Sequence, residues 1–176
     1  MKVFAIVSAA VVLILFTGIM LRPKAHTAEP ALAGVDYRNG TYVIEGQSVT
    51  LVNGHAETLA AADSAAKVTT DYFGTEAFGD LNGDGLTDVV FLLSQDPGGT
   101  GLFFYAVAAL RSKTGYVGTN GVFLGDRIAP QSTEIRDRQI SVDIVTRAPG
   151  ASMADLPSVG ATIYLKVVGD RLELGS

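Results

Sequence analysis

The chain of 176 residues contains no cysteine. That absence removes disulfides, thiolate zinc sites, a cysteine nucleophile and a lipidated N-terminal cysteine together. It leaves the redox compartment open, because a cysteine-free domain can fold on either side of a membrane. Histidine is nearly missing too, with His26 and His55 the only two. A serine triad would have to use His55, yet no G-x-S-x-G elbow accompanies it, and Ser94 stands at a strand end beside a glycine loop. Positive charge is sparse: from Gly34 onward, 10 lysines and arginines stand against 17 aspartates and glutamates, with no basic cluster. Phosphate backbones are repelled by such a surface, so nucleic acid is not an expected partner. No repeat of about 20–50 residues is present, which excludes solenoids and propellers.

What the chain does have begins with a long apolar run. Val3 to Leu21 is nineteen residues without a charge. That length meets the roughly 20 residues needed to cross a hydrocarbon core and exceeds a usual signal-peptide core. "RPKAH" follows, with Pro23 ending the helix and Arg22 and Lys24 placed for headgroups. The expectation is a signal-anchor or transmembrane helix over residues 1–24, a linker over 25–34 and one extracytoplasmic domain over 35–176. The alternative is a secreted protein cleaved at Ala31-Leu32-Ala33.

Beyond the linker the signals are β. "TYVI" and "SVTLV" flank Glu45-Gly46-Gln47 as a hairpin, and Asn39-Gly40 and Asn53-Gly54 supply further turns. "DVVFLL" and "LFFYAVAAL" read as two buried, adjacent antiparallel strands. "DPGGTG" between them lacks the ending of a phosphate cradle and reads as a hairpin loop. In "QISVDIVTR", Ile140, Val142 and Ile144 alternate with Ser141 and Asp143, as in a strand with one wet face. "ETLAAADSAAKV" is long enough for one short helix, although Asp63-Ser64 could equally open a loop. "RAPGASMADLPSVG" is long and proline-bearing and is expected to cross an end of the sheet. The expected fold is mostly β, a small antiparallel sandwich or open barrel with at most one short helix.

The chemistry is concentrated in "GDLNGDGLTD", Gly79 to Asp88. With Asp80 as position 1, Asn82 falls at 3, Asp84 at 5, Gly85 at 6, Leu86 at 7 and Asp88 at 9. Alternate spacing lets a tightly curved loop aim successive oxygens at one centre, Gly85 permits the turn, and Leu86 can offer its backbone carbonyl. Hard oxygen donors suit Ca²⁺ better than magnesium or zinc. A full EF-hand loop would place a bidentate glutamate at position 12, where Phe91 stands, and "DVVFLL" is a strand rather than an exiting helix. A solvated turn without metal is the plainer alternative, although such a turn needs none of the three carboxylates.

This loop resembles the calcium hairpin of FG-GAP repeats, in which D-x-[DN]-x-D-G-x-x-D leads into an apolar strand. Phe78-Gly79 adds to the likeness, which covers about a dozen residues. The resemblance implies Asp80, Asn82, Asp84, the Leu86 carbonyl and Asp88 as calcium ligands, with water completing the shell. Over a longer span, the order of aspartate loop, glycine-linked apolar hairpin and "GDRIAP" turn is similar to a group of bacterial exported and membrane-anchored proteins. That likeness implies a bacterial exported origin and nothing catalytic. The functional expectation is a membrane-tethered, calcium-binding β-domain facing the periplasm or exterior, with a protein or glycan ligand. A metal-free interaction domain, or a carboxylate-dependent hydrolase using Asp126, Asp143 or Asp155, is the alternative.

Overall fold

The computed structural model describes residues 36–60 and 65–175. The expected anchor over 1–24, the linker over 25–34 and Asp63-Ser64 lie outside the described residues. Among the described residues no helix is long and apolar enough to cross a membrane.

Among the described residues a single 3-10 turn, Tyr37–Asn39, precedes twelve strands. The centre is the antiparallel pair β5 (Asp88–Asp96) and β6 (Phe103–Ser112). Around it lie β3 (His55–Leu59), β4 (Lys67–Gly79), β7 (Gly115–Gly118) and β8 (Val122–Asp126), completing a six-stranded sheet in which both β7 and β8 pair with β6. A second sheet has the order β12-β11-β10-β9, from Arg171–Leu174, Val159–Val168, Gln139–Thr146 and Ala129–Arg136. A third unit is the hairpin of β1 (Thr41–Ile44) and β2 (Gln47–Thr50).

The near-continuous apolar runs of β5 and β6 follow from burial on both faces. Val90, Leu92, Phe104, Ala106 and Ala108 pack against Ile140, Val142, Ile144 and Leu165 of the four-stranded sheet. The alternate residues Val89, Phe91, Leu93, Tyr105 and Val107 pack against Tyr42, Ile44, Val49 and Leu51 of the hairpin and the chain after it. The outcome is mostly β and sandwich-like, with open sheets, a hairpin as a third layer and no closed barrel among the described residues. Each fully buried Val, Leu or Phe contributes about 1.5–3 kcal/mol of transfer free energy, so the β5–β6 pair is the centre of stability.

The hairpin rides directly on the sheet edge. A Cβ on Gly118 would lie 2.2 Å from the Thr41 carbonyl oxygen, so no larger residue fits. Tyr105 holds the other end, its hydroxyl donating to Glu45 Oε1 at 2.7 Å. Asn120 joins the sheets by copying a strand edge: its amide donates to the Leu172 carbonyl at 2.9 Å and its Oδ1 accepts the Leu172 N–H at 3.0 Å.

One expectation needs correction. Among the described residues there is no α-helix in the alanine-rich stretch; Ala56↔Thr70 and Leu59↔Lys67 pair across a β3–β4 hairpin instead. Cross-strand pairing with a β4 that is itself locked to β5 overrides the weak local preference of alanine. The proline-bearing segment 147–158 joins β10 to β11, which are register partners, as their long hairpin loop. Arg147 fixes it, donating to the carbonyls of Asp155 at 2.7 Å and of Asp126 and Arg127 at 3.2 Å.

Candidate metal loop

The aspartate loop is the connection between β4 and β5, closed at its base by the Gly79↔Asp88 pair. Leu81 plugs into the sandwich core and is buried, which ties the start of the loop to the protein interior. Asp88 ties the end. Its side chain is fully buried, with Oδ2 accepting the Leu81 N–H at 2.8 Å and Oδ1 accepting the Arg111 N–H of β6 at 2.7 Å. Desolvation pushes this carboxyl above the ordinary aspartate range; the two N–H bonds oppose that, and Asp84 and Asp80 reinforce it.

Between these anchors the side-chain oxygens are organised by the loop's own backbone. Asp80 accepts from Gly83 N at 2.6 Å and from Gly85 N at 3.0 Å. Asn82 Oδ1 accepts from Asp84 N at 3.0 Å, and Asp84 Oδ1 from Leu86 N at 2.8 Å. Gly83 and Gly85, at φ +87° and +82°, supply the left-handed turns that bring these N–H groups inward. A carboxylate or amide oxygen has two lone pairs, so each keeps one after accepting a single N–H.

The five expected ligands are therefore brought into one loop but not into equivalent places. Asn82 and Asp84 are exposed, Asp80 and Leu86 are half-buried, and Asp88 is buried, each of its oxygens accepting one N–H as those of Asp80 do. Among the described residues no three carboxylate or imidazole side chains gather into a cage ready for a metal. The donor chemistry fits a hard cation.

One neighbour of the loop was not legible as such. Arg138 sits with Asp137 at the β9–β10 turn, at φ +64° and +50°, and its Nη1 lies 2.5 Å from where a Cβ on Gly83 would be. The sequence signal was the two-residue link between alternating strands, which announces a hairpin but not what its tip touches.

The remaining candidates are dispersed. Register places His55, Asp71 and Ser94 in one row across β3, β4 and β5. His55 Nδ1 lies 2.7 Å from Asp71 Oδ1. Asp71 is the middle member, so the imidazole stands two strands, about 10 Å, from Ser94. A serine relay requires the imidazole between hydroxyl and carboxylate. Asp126 is bound by Arg127 at 2.9 Å and accepts the Leu102 N–H, and the Arg127 hydrogen bond holds its carboxyl below the ordinary range. Asp143 accepts the hydroxyls of Thr162 and Ser132 at 2.6 and 2.9 Å. Asp155 caps its own turn through the Ser152 N–H. None of these three lines the groove beside the aspartate loop.

No family model matches the chain, and neither a curated protein nor a solved structure does.

Proposed function

We infer that residues 80–88 form a calcium-binding hairpin on an exported, membrane-tethered β-domain acting as a binding module of the cell envelope. The observation that supports this reading is the hydrogen-bond ladder of the loop, from Asp80 to positions 83 and 85, from Asn82 to 84 and from Asp84 to 86. It arranges alternate oxygen-bearing residues around two glycine turns and leaves a lone pair on each accepting oxygen. Asp80, Asn82, Asp84 and the Leu86 carbonyl would hold the ion, with Asp88 fixing the base beneath them. When bound, calcium supplies the positive charge that the loop's own carboxylates lack.

With Phe91 in place of a twelfth-position glutamate, affinity on the order of 10⁻⁴–10⁻³ M is expected. Such a site fills only where calcium is plentiful, which together with the apolar run Val3 to Leu21 supports an extracytoplasmic position. At millimolar calcium, a site of about 10⁻⁴ M adds about 1.4 kcal/mol of stability. A metal-free loop is the second reading, favoured by the guanidinium of Arg138 beside Gly83.

Thermal unfolding and titration calorimetry of the full chain, with calcium and with chelator, separate the two. The calcium reading expects a higher midpoint and a saturable heat, both lost in Asp84→Ala. No midpoint shift together with no heat of binding would sink it.

A further inference from the structure

The β1–β2 hairpin is shorter than the sheet it covers. Its strands have four residues each, against thirteen in β4 and nine in β5. Tyr42, Ile44, Val49 and Leu51 close over Phe91, Leu93 and Tyr105, and the cover stops at the Glu45-Gly46 turn. Beyond that turn the same face of the sheet continues. Register carries one row from Ala56 through Thr70 and Gln95 to Phe103, with Thr58 and Val68 paired in the next row on that face. Thr70 is buried, whereas Thr58, Val68, Gln95 and Phe103 are half-buried. The result is a cavity of about 270 Å³, walled by Ile44, Val49, Val68, Pro97 and Phe103 and bounded at the turn by Glu45. That is the space of about nine water molecules, enough for one ring on a short chain.

Charge in this cavity has one sign. Among the described residues that line it, Glu45 alone bears a charged side chain. Lys67, as the neighbour of Val68 along the strand, faces the opposite side and is bound to Glu57 at 2.6 Å. Asp126, opposite Phe103, carries its own guanidinium, so that pair adds no net charge. Glu45 Oε1 accepts the Tyr105 hydroxyl at 2.7 Å, which leaves Oε2 without a partner among the described residues. Gln95 donates its amide to Thr70 Oγ1 at 3.2 Å and keeps Oε1 as an acceptor. Thr58 and Gln47 complete the polar lining and can donate or accept.

Turn chemistry does not account for Glu45. The Glu45-Gly46 pair has φ of +50° and +83°, and Asn53-Gly54 repeats that geometry at +53° and +82°. Asparagine is the usual residue there because it tolerates the left-handed region, which is unfavourable for glutamate. A neutral amide would also satisfy the Tyr105 hydroxyl. What the carboxylate adds is a negative charge on the cavity wall.

The geometry points to a binding site for a small organic amine, a protonated primary ammonium on a compact apolar body. The apolar part fills the space between Val49, Val68 and Phe103, where removal of its surface from water drives binding. An ammonium has three N–H donors and no acceptor, which matches a lining whose uncommitted atoms include Glu45 Oε2 and Gln95 Oε1. An anion would meet Glu45 with no countercharge, and a sugar would set hydroxyls against apolar walls. The cavity uses the ends of β4 and β5 opposite to those that the aspartate loop joins at Gly79 and Asp88. It gives the proposed binding module a ligand class and rests on nothing in the calcium reading.

The test is calorimetric titration of the full-length protein at neutral pH with chelator present. Three probes of similar size are compared: 2-phenylethylamine, 2-phenylethanol and phenylacetate, which are cationic, neutral and anionic. Saturable amine binding is expected, at least tenfold tighter than the alcohol and the acid. Glu45→Gln keeps an acceptor for Tyr105 and should weaken the amine at least tenfold without changing the alcohol. Val68→Phe fills the cavity from a strand position that suits an aromatic residue and should abolish amine binding, while Asp84→Ala leaves it unchanged. Glu45 and Asp84 are exposed, so circular dichroism should show native folds for both variants, and Glu45→Gln decides the case if Val68→Phe unfolds. Absence of saturable amine binding overturns the assignment, as does an alcohol or acid that binds equally well. Indifference to Glu45→Gln or to a folded Val68→Phe also overturns it, and so does loss of binding in Asp84→Ala, which would place the amine on the aspartate loop. Because chelator is present throughout, failure here leaves the calcium reading standing, and a failed calcium titration leaves this one standing.

Discussion

Asp88 and Asp126 are the same residue at two corners of the same sheet, and their surroundings drive them in opposite directions. Asp126 has a guanidinium 2.9 Å away and is held below the ordinary carboxylate range. Asp88 is completely buried with two backbone N–H groups and no cation, and is pushed above it. Two amide dipoles thus do not offset full desolvation with further carboxylates close by, whereas at the half-buried Asp126 one arginine outweighs a partial desolvation. The corner at 126–127 carries its own countercharge; the loop at 80–88 lacks one at its base. That contrast is the electrostatic case for an external cation.

The largest effect that could break the contrast is on stability. Asp88→Ala strands the buried N–H groups of Leu81 and Arg111, each costing about 1–3 kcal/mol when unsatisfied, so a loss of about 3 kcal/mol in urea unfolding is expected. Asp126→Ala should lose about 1 kcal/mol, since its ion pair is partly solvated. Equal losses would erase the distinction between strut and surface pair. Gly83→Ala comes next, at about 1–2 kcal/mol. The Arg138 side chain can swing away from a new methyl, but φ +87° remains strained for any other residue. Adding Arg138→Ala should therefore recover only part of the loss.

Much of this was legible in sequence, for identifiable reasons. Two-sided burial writes itself as an unbroken apolar run, so β5 and β6 could be read as a buried pair. One-sided burial writes itself as alternation, as in Ile140, Val142 and Ile144. The aspartate loop was readable because its spacing is local. What could not be read depends on contacts distant in sequence. The alanine-rich stretch carries a helical preference that pairing with β4 overrides, and nothing near position 138 says that its guanidinium rests on Gly83. Likewise nothing near Asp88 says that the Arg111 N–H of another strand donates to its Oδ1.

The two carboxyls should also separate by pH in chelator. For Asp88, the unfolded chain ionises first while the folded carboxyl keeps its proton. Stability from this group is therefore greatest below the ordinary aspartate value and declines as pH rises towards its raised folded value. For Asp126 the stabilisation is present above the ordinary value and is lost as pH falls through its lowered folded one. Denaturant unfolding from pH 3 to 7 should show Asp88→Asn removing the decline above about pH 4 and Asp126→Asn removing the loss on the acid side. Contributions of the same sign would refute the opposition.

The smallest effect concerns Arg138, which bears on whether the loop's missing charge is partly supplied from within. A guanidinium against Gly83 partly neutralises Asp80 and Asp84 and repels an incoming cation. Through solvent near a surface, such a charge is worth under about 1 kcal/mol, so Arg138→Gln should tighten calcium binding about two- to fivefold at low salt. Raising salt to about 0.5 M should collapse that difference, because the screening length then falls below the separation of exposed charges. A gain that survives high salt would mean that Arg138 shapes the loop by packing rather than by charge. Weaker binding in the variant would mean that the arginine props the oxygens in place, which would bring the loop closer to the self-sufficient corner at Asp126.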